Sequence, residues 1–214
     1  MVLPASEVSR RKTIMLRNAD AFSKRVPLAL QKEQRGLARE IQRRQYRDND
    51  VKALGVLYDY VDRVMAHGKG NVACKRGCSA CCKAEIALWQ LEADLIAAKT
   101  GVAVRSVPLD PGRKMTPYTM TTSPCPFLVN ETCSIYAYRP LACRTMVSFD
   151  ADSTLCQFDH RFDTPALMMI DRATTFGGVY EAFNVILHRN GGGAGDIREF
   201  FGESPVKVGD NHQA

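Results

Sequence analysis

No stretch of the chain approaches the roughly 18 consecutive apolar residues that a membrane-spanning helix requires, and Met1–Arg11 has no apolar core behind its charges of the kind a secretory leader carries. A transmembrane span is therefore excluded as a reading of this sequence, and a cytoplasmic protein is the expectation. Also missing are an internal repeat, a regular alternation of strands and helices, a nucleophile triad and a paired-carboxylate constellation. The run Gly191–Gly193 lacks the preceding strand and following helix of a phosphate loop. It reads instead as a helix stop that opens a flexible C-terminal tail over 191–214.

What is present is a composition ordinary for a globular protein, with 45% hydrophobic and 24% charged residues in 214, enough for one hydrophobic core with appendages. The net charge of +6 is unevenly spread. Residues 1–50 hold twelve Lys/Arg against six Asp/Glu, whereas 51–214 hold seventeen of each. The division expected is a basic helical arm over 1–47, a cysteine-cluster metal-binding domain over 48–190 and the tail. A basic arm at 10–47 suits an acidic protein or nucleic acid, although a solvated helix face is the commoner meaning of such a run.

Eight cysteines concentrate the chemistry, four of them at Cys74, Cys78, Cys81 and Cys82 within nine residues. On a helix advancing roughly 100° per residue these four fall within an arc of about 100°. In a reducing compartment such clustering points to metal or redox chemistry rather than a disulfide framework. A buried cysteine can be a plain small hydrophobe, but that leaves Lys75, Arg76 and Ser79 among the thiols unexplained.

Along the chain, 10–26 and 28–47 favour helix, separated by Pro27, with a thin apolar stripe at Leu30, Leu37 and Ile41. Asp48-Asn49 offers an N-cap for the most regular pattern, Val51, Leu54, Leu57/Tyr58, Val61 and Val64/Met65, which Gly68 and Gly70 end. Ser79 is a candidate cap for a turn carrying Cys81 and Cys82, where helix N-terminal amides would favour thiolates. Ala84–Leu88 is ambiguous between helix and extended chain, Gln90–Lys99 reads as a helix stopped by Gly101, and 108–126, with six prolines and glycines, reads as a long loop. Phe127–Val129 and Thr132–Ile135 make a hairpin around Asn130-Glu131, with Cys133 on it and Cys125 at its mouth. Pro140 can start a helical turn holding Cys143, and a polar loop over Asp150–His160 carries Cys156. A further helical pattern runs through Leu167, Met168 and Ile170 and resumes at Val179–His188 after a weak spot at Gly177-Gly178. The fold class expected is mainly α, a small irregular α-rich domain with one short β-hairpin around a Cys-rich metal site.

Cys125, Cys133, Cys143 and Cys156 are too widely spaced for one local knuckle, so a site containing them must be assembled by the fold. Cys156 and His160 have the spacing of a zinc ligand pair, which makes His160 a secondary candidate. At this point the order of motifs, CxxxCxxCC at 74–82, Cys-Pro-Phe-Leu at 125–128, Cys-Ser-Ile-Tyr at 133–136 and Arg139-Pro140-Leu-Ala-Cys143-Arg144, resembles the YkgJ-like cysteine-cluster family, described as zinc- or iron-chelating. The resemblance covers about 74–145. It implies a chelating set of Cys74, Cys78, Cys81, Cys82, Cys125, Cys133 and Cys143, with Arg139 and Arg144 as characteristic arginines, while Cys156 lies beyond the matched part and is carried as an additional candidate.

Thiolate-rich sites suit zinc and iron–sulfur clusters alike. Zinc sites usually assemble from paired CxxC or Cys/His knuckles, and no second knuckle exists here, so an iron–sulfur cluster is favoured over zinc. CxxxCxxC at Cys74, Cys78 and Cys81 is also the spacing of radical S-adenosylmethionine enzymes. The absence of an aromatic before Cys81 and of a strand–helix series for a barrel counts against that reading. Vicinal Cys81 and Cys82 would point roughly 100° apart on a helix, so both reaching one ion is strained. Lys75, Arg76, Arg139 and Arg144 would offset thiolate charge and depress thiol pKa values, or else be surface cations and packed stems. The function expected is metal binding, with redox or modification chemistry following from it. The alternative is a zinc-structured binding module that uses its basic arm.

Overall fold

The computed structural model describes residues 3–47, 49–110, 112, 119–157, 172–190 and 192–206. Among these the chain is mainly helical. In order, the helices are α1 (Ala5–Arg25), α2 (Leu28–Gln34), α3 (Leu37–Glu40), α4 (Arg44–Arg47), α5 (Asp50–Ala66), α6 (Gln90–Thr100), α7 (Leu141–Thr145), α8 (Arg172–Asn190) and α9 (Ile197–Phe201). Two small antiparallel sheets accompany them, β1 (Ala87–Trp89) with β4 (Ala194–Asp196), and β2 (Leu128–Val129) with β3 (Thr132–Cys133). None of these helices is long and apolar enough to cross a membrane.

The chain divides into two compact units, each discontinuous in sequence. One comprises the described residues of Met1–Cys74, Arg144–Leu155 and Pro165–Asn190. Its α1 buries Arg11, Met15, Asn18 and Phe22, a stripe at the i, i+4, i+7, i+11 spacing of one helix face. Phe22 packs on Phe149 with ring centroids 5.6 Å apart. Pro27 does separate two helical pieces, and Leu30, Leu37 and Ile41 are all buried. The 28–47 stretch, however, is three short helices rather than one, because the chain turns at Gly36 and again after Ile41. Asn49 caps α5 as its residue type predicts, its side chain accepting from the Lys52 amide at 2.9 Å. Val51 departs from the expected stripe and is exposed, while Ala53, Leu54, Leu57, Tyr58, Tyr60, Val61 and Val64 are buried. Helix α8 is kinked at Phe176, next to the weak spot at Gly177-Gly178. A Cβ at Gly178 would lie 2.5 Å from the Gln34 carbonyl, so only glycine lets α8 approach the end of α2 this closely. The pattern through Leu167, Met168 and Ile170 lies outside the described residues.

The second unit comprises the described residues of Lys75–Cys143, Cys156–Thr164 and Gly191–Ala214. Helix α6 ends where expected, with Gly101 left-handed at φ 72° and its amide bonded to the Ala97 carbonyl. The ambiguous 84–88 stretch is extended, ending in β1. The hairpin is a two-residue turn with Asn130 and Glu131 both at positive φ, 49° and 57°, the requirement of a type I′ connection. The tail expected over 191–214 is corrected for its first part. Residues 194–201 form β4 and α9, closed by an Asp196/Glu199 capping box and burying Ile197, Arg198, Phe200 and Phe201. Phe201 stacks edge-on against Phe127 at 4.8 Å. Gly193 has a packing role, since a Cβ there would meet the Val107 carbonyl at 2.0 Å. The capping box and the buried apolar residues outweigh the local looseness of a glycine run.

One polar network in the first unit is centred on a buried ion pair, Arg11–Asp150. The Arg11 guanidinium donates to Glu7 at 2.8 Å, to Asp150 at 2.7 Å and to Asp152 at 2.9 and 3.2 Å, and the Asp150 side chain is fully buried. Replacing Arg11 by Ala should cost about 3–5 kcal/mol in urea unfolding, because it leaves a buried carboxylate uncompensated. The Arg11 hydrogen bond, before any other cause, holds the Asp152 carboxyl well below the usual carboxylate range. The stability this confers is present above the unfolded-state value of about 3.9 and is lost as pH falls through the lower folded value. The acid side of the stability–pH curve should therefore flatten in Arg11→Ala.

Candidate metal centre

All eight cysteines are free thiols. In the second unit the cysteine-rich stretch folds as two consecutive tight turns rather than a helix. The Cys78 amide closes on the Lys75 carbonyl at 3.0 Å, with Gly77 at φ 88° in the third position, where a type II turn needs glycine. Ala80–Lys83 then makes one 3-10 turn, with the Cys82 amide on the Ser79 carbonyl at 2.9 Å. Ser79 stands at the cap position but its hydroxyl donates to Glu131 of the hairpin turn instead of capping.

Three further segments bring thiols to this turn. The Cys125 amide donates to the Cys82 carbonyl at 2.7 Å, which joins the end of the long loop to the vicinal pair. Cys133 lies on β3 opposite Leu128. Cys143 lies on α7, whose first amide, at Leu141, donates to the buried Glu92 carboxylate at 2.8 Å. Glu92 from α6 thus satisfies an amide that a helix start leaves open, and it sets where α7 begins.

These thiols share one electrostatic environment. Cys143 is pushed well above its ordinary value by burial, and the Cys81, Cys125 and Cys133 thiols add to the shift. Burial likewise raises Cys133, with Cys81 contributing, and takes Cys125 up to about 12, with Cys133 contributing. Cys81 is raised chiefly by its hydrogen bond with the Cys82 thiol and then by burial. The vicinal pair is carried by a 3-10 turn and not by the α-helix expected. The expected depression of thiol pKa values is corrected too: Arg139 does act downward on Cys81, Cys133 and Cys143, but burial and neighbouring thiols outweigh it.

The remaining candidates sit differently. The Cys74 thiol, in the first unit, donates to the Met146 carbonyl at 3.8 Å and receives the Ser148 amide at 3.4 Å. Cys78 is half-buried at the first turn, and Cys156 is buried in a 3-10 turn, Leu155–Gln157. His160 lies outside the described residues. Arg139 stacks on Tyr136 at 3.8 Å and Arg76 reaches the same ring at 5.9 Å. Arg144 is buried in the first unit, paired with Asp62 and stacked at 4.3 Å on Tyr58.

Residues 73–164 match the CxxCxxCC family model, described as a "Putative zinc- or iron-chelating domain". The stretch is similar to the cysteine-cluster domain that its motifs resemble, and zinc or iron chelation is the function this similarity supports. No curated protein and no solved structure matches the chain. Among the described residues of the CxxCxxCC domain and beyond it, no group of three or more Cys, His, Asp or Glu side chains is already converged as a metal-holding set. The donor chemistry nevertheless fits a thiophilic metal, since Cys81, Cys82, Cys125, Cys133 and Cys143 are soft ligands brought into mutual influence from four separate segments.

Three residues that hold these segments were missed in the sequence: Glu92, Asp196 and Arg198. The Arg198 guanidinium bonds the Cys82, Ala84 and Ser123 carbonyls and the Asp196 carboxylate, and its charge acts downward on the Cys125 thiol. The Asp196-x-x-Glu199 pattern before Phe200-Phe201 was the available signal of a helix start there. In the metal-free protein the raised thiols should alkylate slowly at pH 8.5, the range of a free cysteine. For Cys125 the iodoacetamide rate, followed by peptide mass spectrometry, should climb with pH without a plateau until close to 12.

Proposed function

We propose that the thiols of the second unit hold an iron–sulfur cluster, in preference to zinc, with Cys81, Cys125, Cys133 and Cys143 as the central ligands and Cys82 beside them. The observation that carries this reading is the supply of soft donors from four separate segments of this unit, with the Cys125 amide on the Cys82 carbonyl at 2.7 Å, Cys125 buried and Cys81, Cys133 and Cys143 half-buried. An all-thiol set without a paired CxxC knuckle favours iron–sulfur over structural zinc. Protonated thiols have no electrostatic reason to converge, and metal uptake must release their protons. The ion or cluster thereby draws together what the fold has only gathered. A cluster bound there would supply electron transfer or support a modification reaction. The chain's own part is to bind it, shield it from water and neutralise thiolate charge with Arg139 from above the Tyr136 ring. Cys78 and Cys156 of the same unit complete the candidate set, whereas Cys74 belongs to the first unit.

Anaerobic purification followed by iron, zinc and acid-labile sulfide analysis tests this directly. Iron and sulfide in stoichiometric amounts are expected, stoichiometric zinc without sulfide would overturn the cluster, and folded protein that takes up neither metal would overturn the centre. Cys143→Ser should weaken metal retention by more than the roughly 10–100-fold typical of losing an outer-shell partner.

A second reading is favoured by a set of exposed cations on the first 47 residues. Lys12, Arg17, Lys32, Arg35, Arg39 and Arg44 are exposed and make no ion pair among the described residues, whereas Lys24, Arg43 and Arg63 are paired. These cations would take a nucleic acid. Reversing Lys32, Arg35 and Arg39 to Glu should then abolish binding to a duplex oligonucleotide that weakens steeply with salt, and unchanged binding would rule it out.

A further inference from the structure

The segment around Asp196–Phe201 reaches the cysteine-bearing backbone through one side chain. Arg198 is 7% exposed. Its Nε donates to the Ser123 carbonyl at 2.7 Å, its Nη2 to the Cys82 carbonyl at 3.2 Å, and both terminal nitrogens to the Ala84 carbonyl at 3.3 Å. Asp196 holds Nη1 at 2.8 and 3.0 Å and also takes the Ile86 amide at 2.7 Å. The Cys82 carbonyl that receives Arg198 is the same one that receives the Cys125 amide at 2.7 Å. One planar group is thus fastened to both Cys81–Ala84 and Ser123–Cys125, which have almost no regular structure of their own to fix them.

Only a guanidinium has donors enough, in a rigid fork, to serve three carbonyls and a carboxylate at once. A lysine ammonium would serve fewer and could not span both segments. We infer that Arg198, oriented by Asp196, is a positioning residue of the thiol centre, holding the Cys81–Cys82 turn and the Cys125 segment in the spacing that metal retention requires. The inference rests on the metal-binding reading above. Preorganisation of this kind is what an outer shell contributes to a metal site, and here it comes from beyond the segment that matches the family.

The test uses the full chain purified anaerobically with its metal, as wild type, Arg198→Lys, Asp196→Asn and Phe201→Leu. The last loosens the same helix through the Phe127 contact without touching a cysteine-bearing carbonyl. Two quantities are read: the rate at which excess EDTA strips the bound metal, and the thermal midpoint of the stripped protein. Arg198→Lys and Asp196→Asn should lose metal about 10–100-fold faster, well beyond any change in Phe201→Leu at a matched loss of thermal midpoint. Equal stripping rates in wild type and Arg198→Lys, or equal acceleration in Phe201→Leu, would overturn the positioning role. Should Arg198→Lys not fold, Asp196→Asn carries the same comparison. A wild-type chain that binds no metal would instead overturn the metal-binding reading itself.

Discussion

Backbone polar groups that leave water must find partners, and this constraint governs the cysteine-bearing part of the molecule. Its thiols sit on turns, a two-residue hairpin arm and a five-residue helix, elements too short to satisfy their own amides and carbonyls. Side chains from elsewhere supply the missing bonds: Arg198 for Cys82, Ala84 and Ser123, Glu92 for Leu141, Asp196 for Ile86. Each is buried or half-buried, so water competes less for each bond than it would at the surface. Loss of Arg198 would take from the Ala84 carbonyl the bonds it receives from both terminal nitrogens, not merely a surface contact.

The same low-dielectric surroundings determine the state of the thiols. Burial opposes the thiolate at Cys125, Cys133 and Cys143, and the Cys82 contact opposes it at Cys81. A set of thiols held neutral together is a poor nucleophile, and a metal that binds it must displace its protons. This is why proton release, and not a preformed cage, is the natural accompaniment of binding. Arg139 tempers the cost without removing it.

Much of the local structure was legible in the residues. Asn49 capped α5, Gly101 closed α6 and Asn130-Glu131 made the hairpin turn, because each effect acts over a few residues. The stripe at Leu30, Leu37 and Ile41 was buried as its spacing implied, yet the helix it suggested broke at Gly36, where a weak propensity signal met tertiary packing. At 191–214 the glycines were the louder signal. Gly193 is there for a close approach to Val107, and Asp196, Glu199 and Phe200-Phe201 turn the following residues into an element.

The sequence by itself determined the donor chemistry: CxxxCxxCC followed by Cys125, Cys133 and Cys143 specifies soft ligands, and turn residues specify the local geometry that presents them. Tertiary structure alone decided which thiols act on one another, placed the Cys74 thiol against the backbone of Met146 and Ser148, and brought Arg198 from more than a hundred residues away to the Cys82 carbonyl. Local preferences decay within a turn or two along the chain. Pairing across such separations is settled by burial and by the demand of each buried polar group for a partner, which no spacing of residue types encodes.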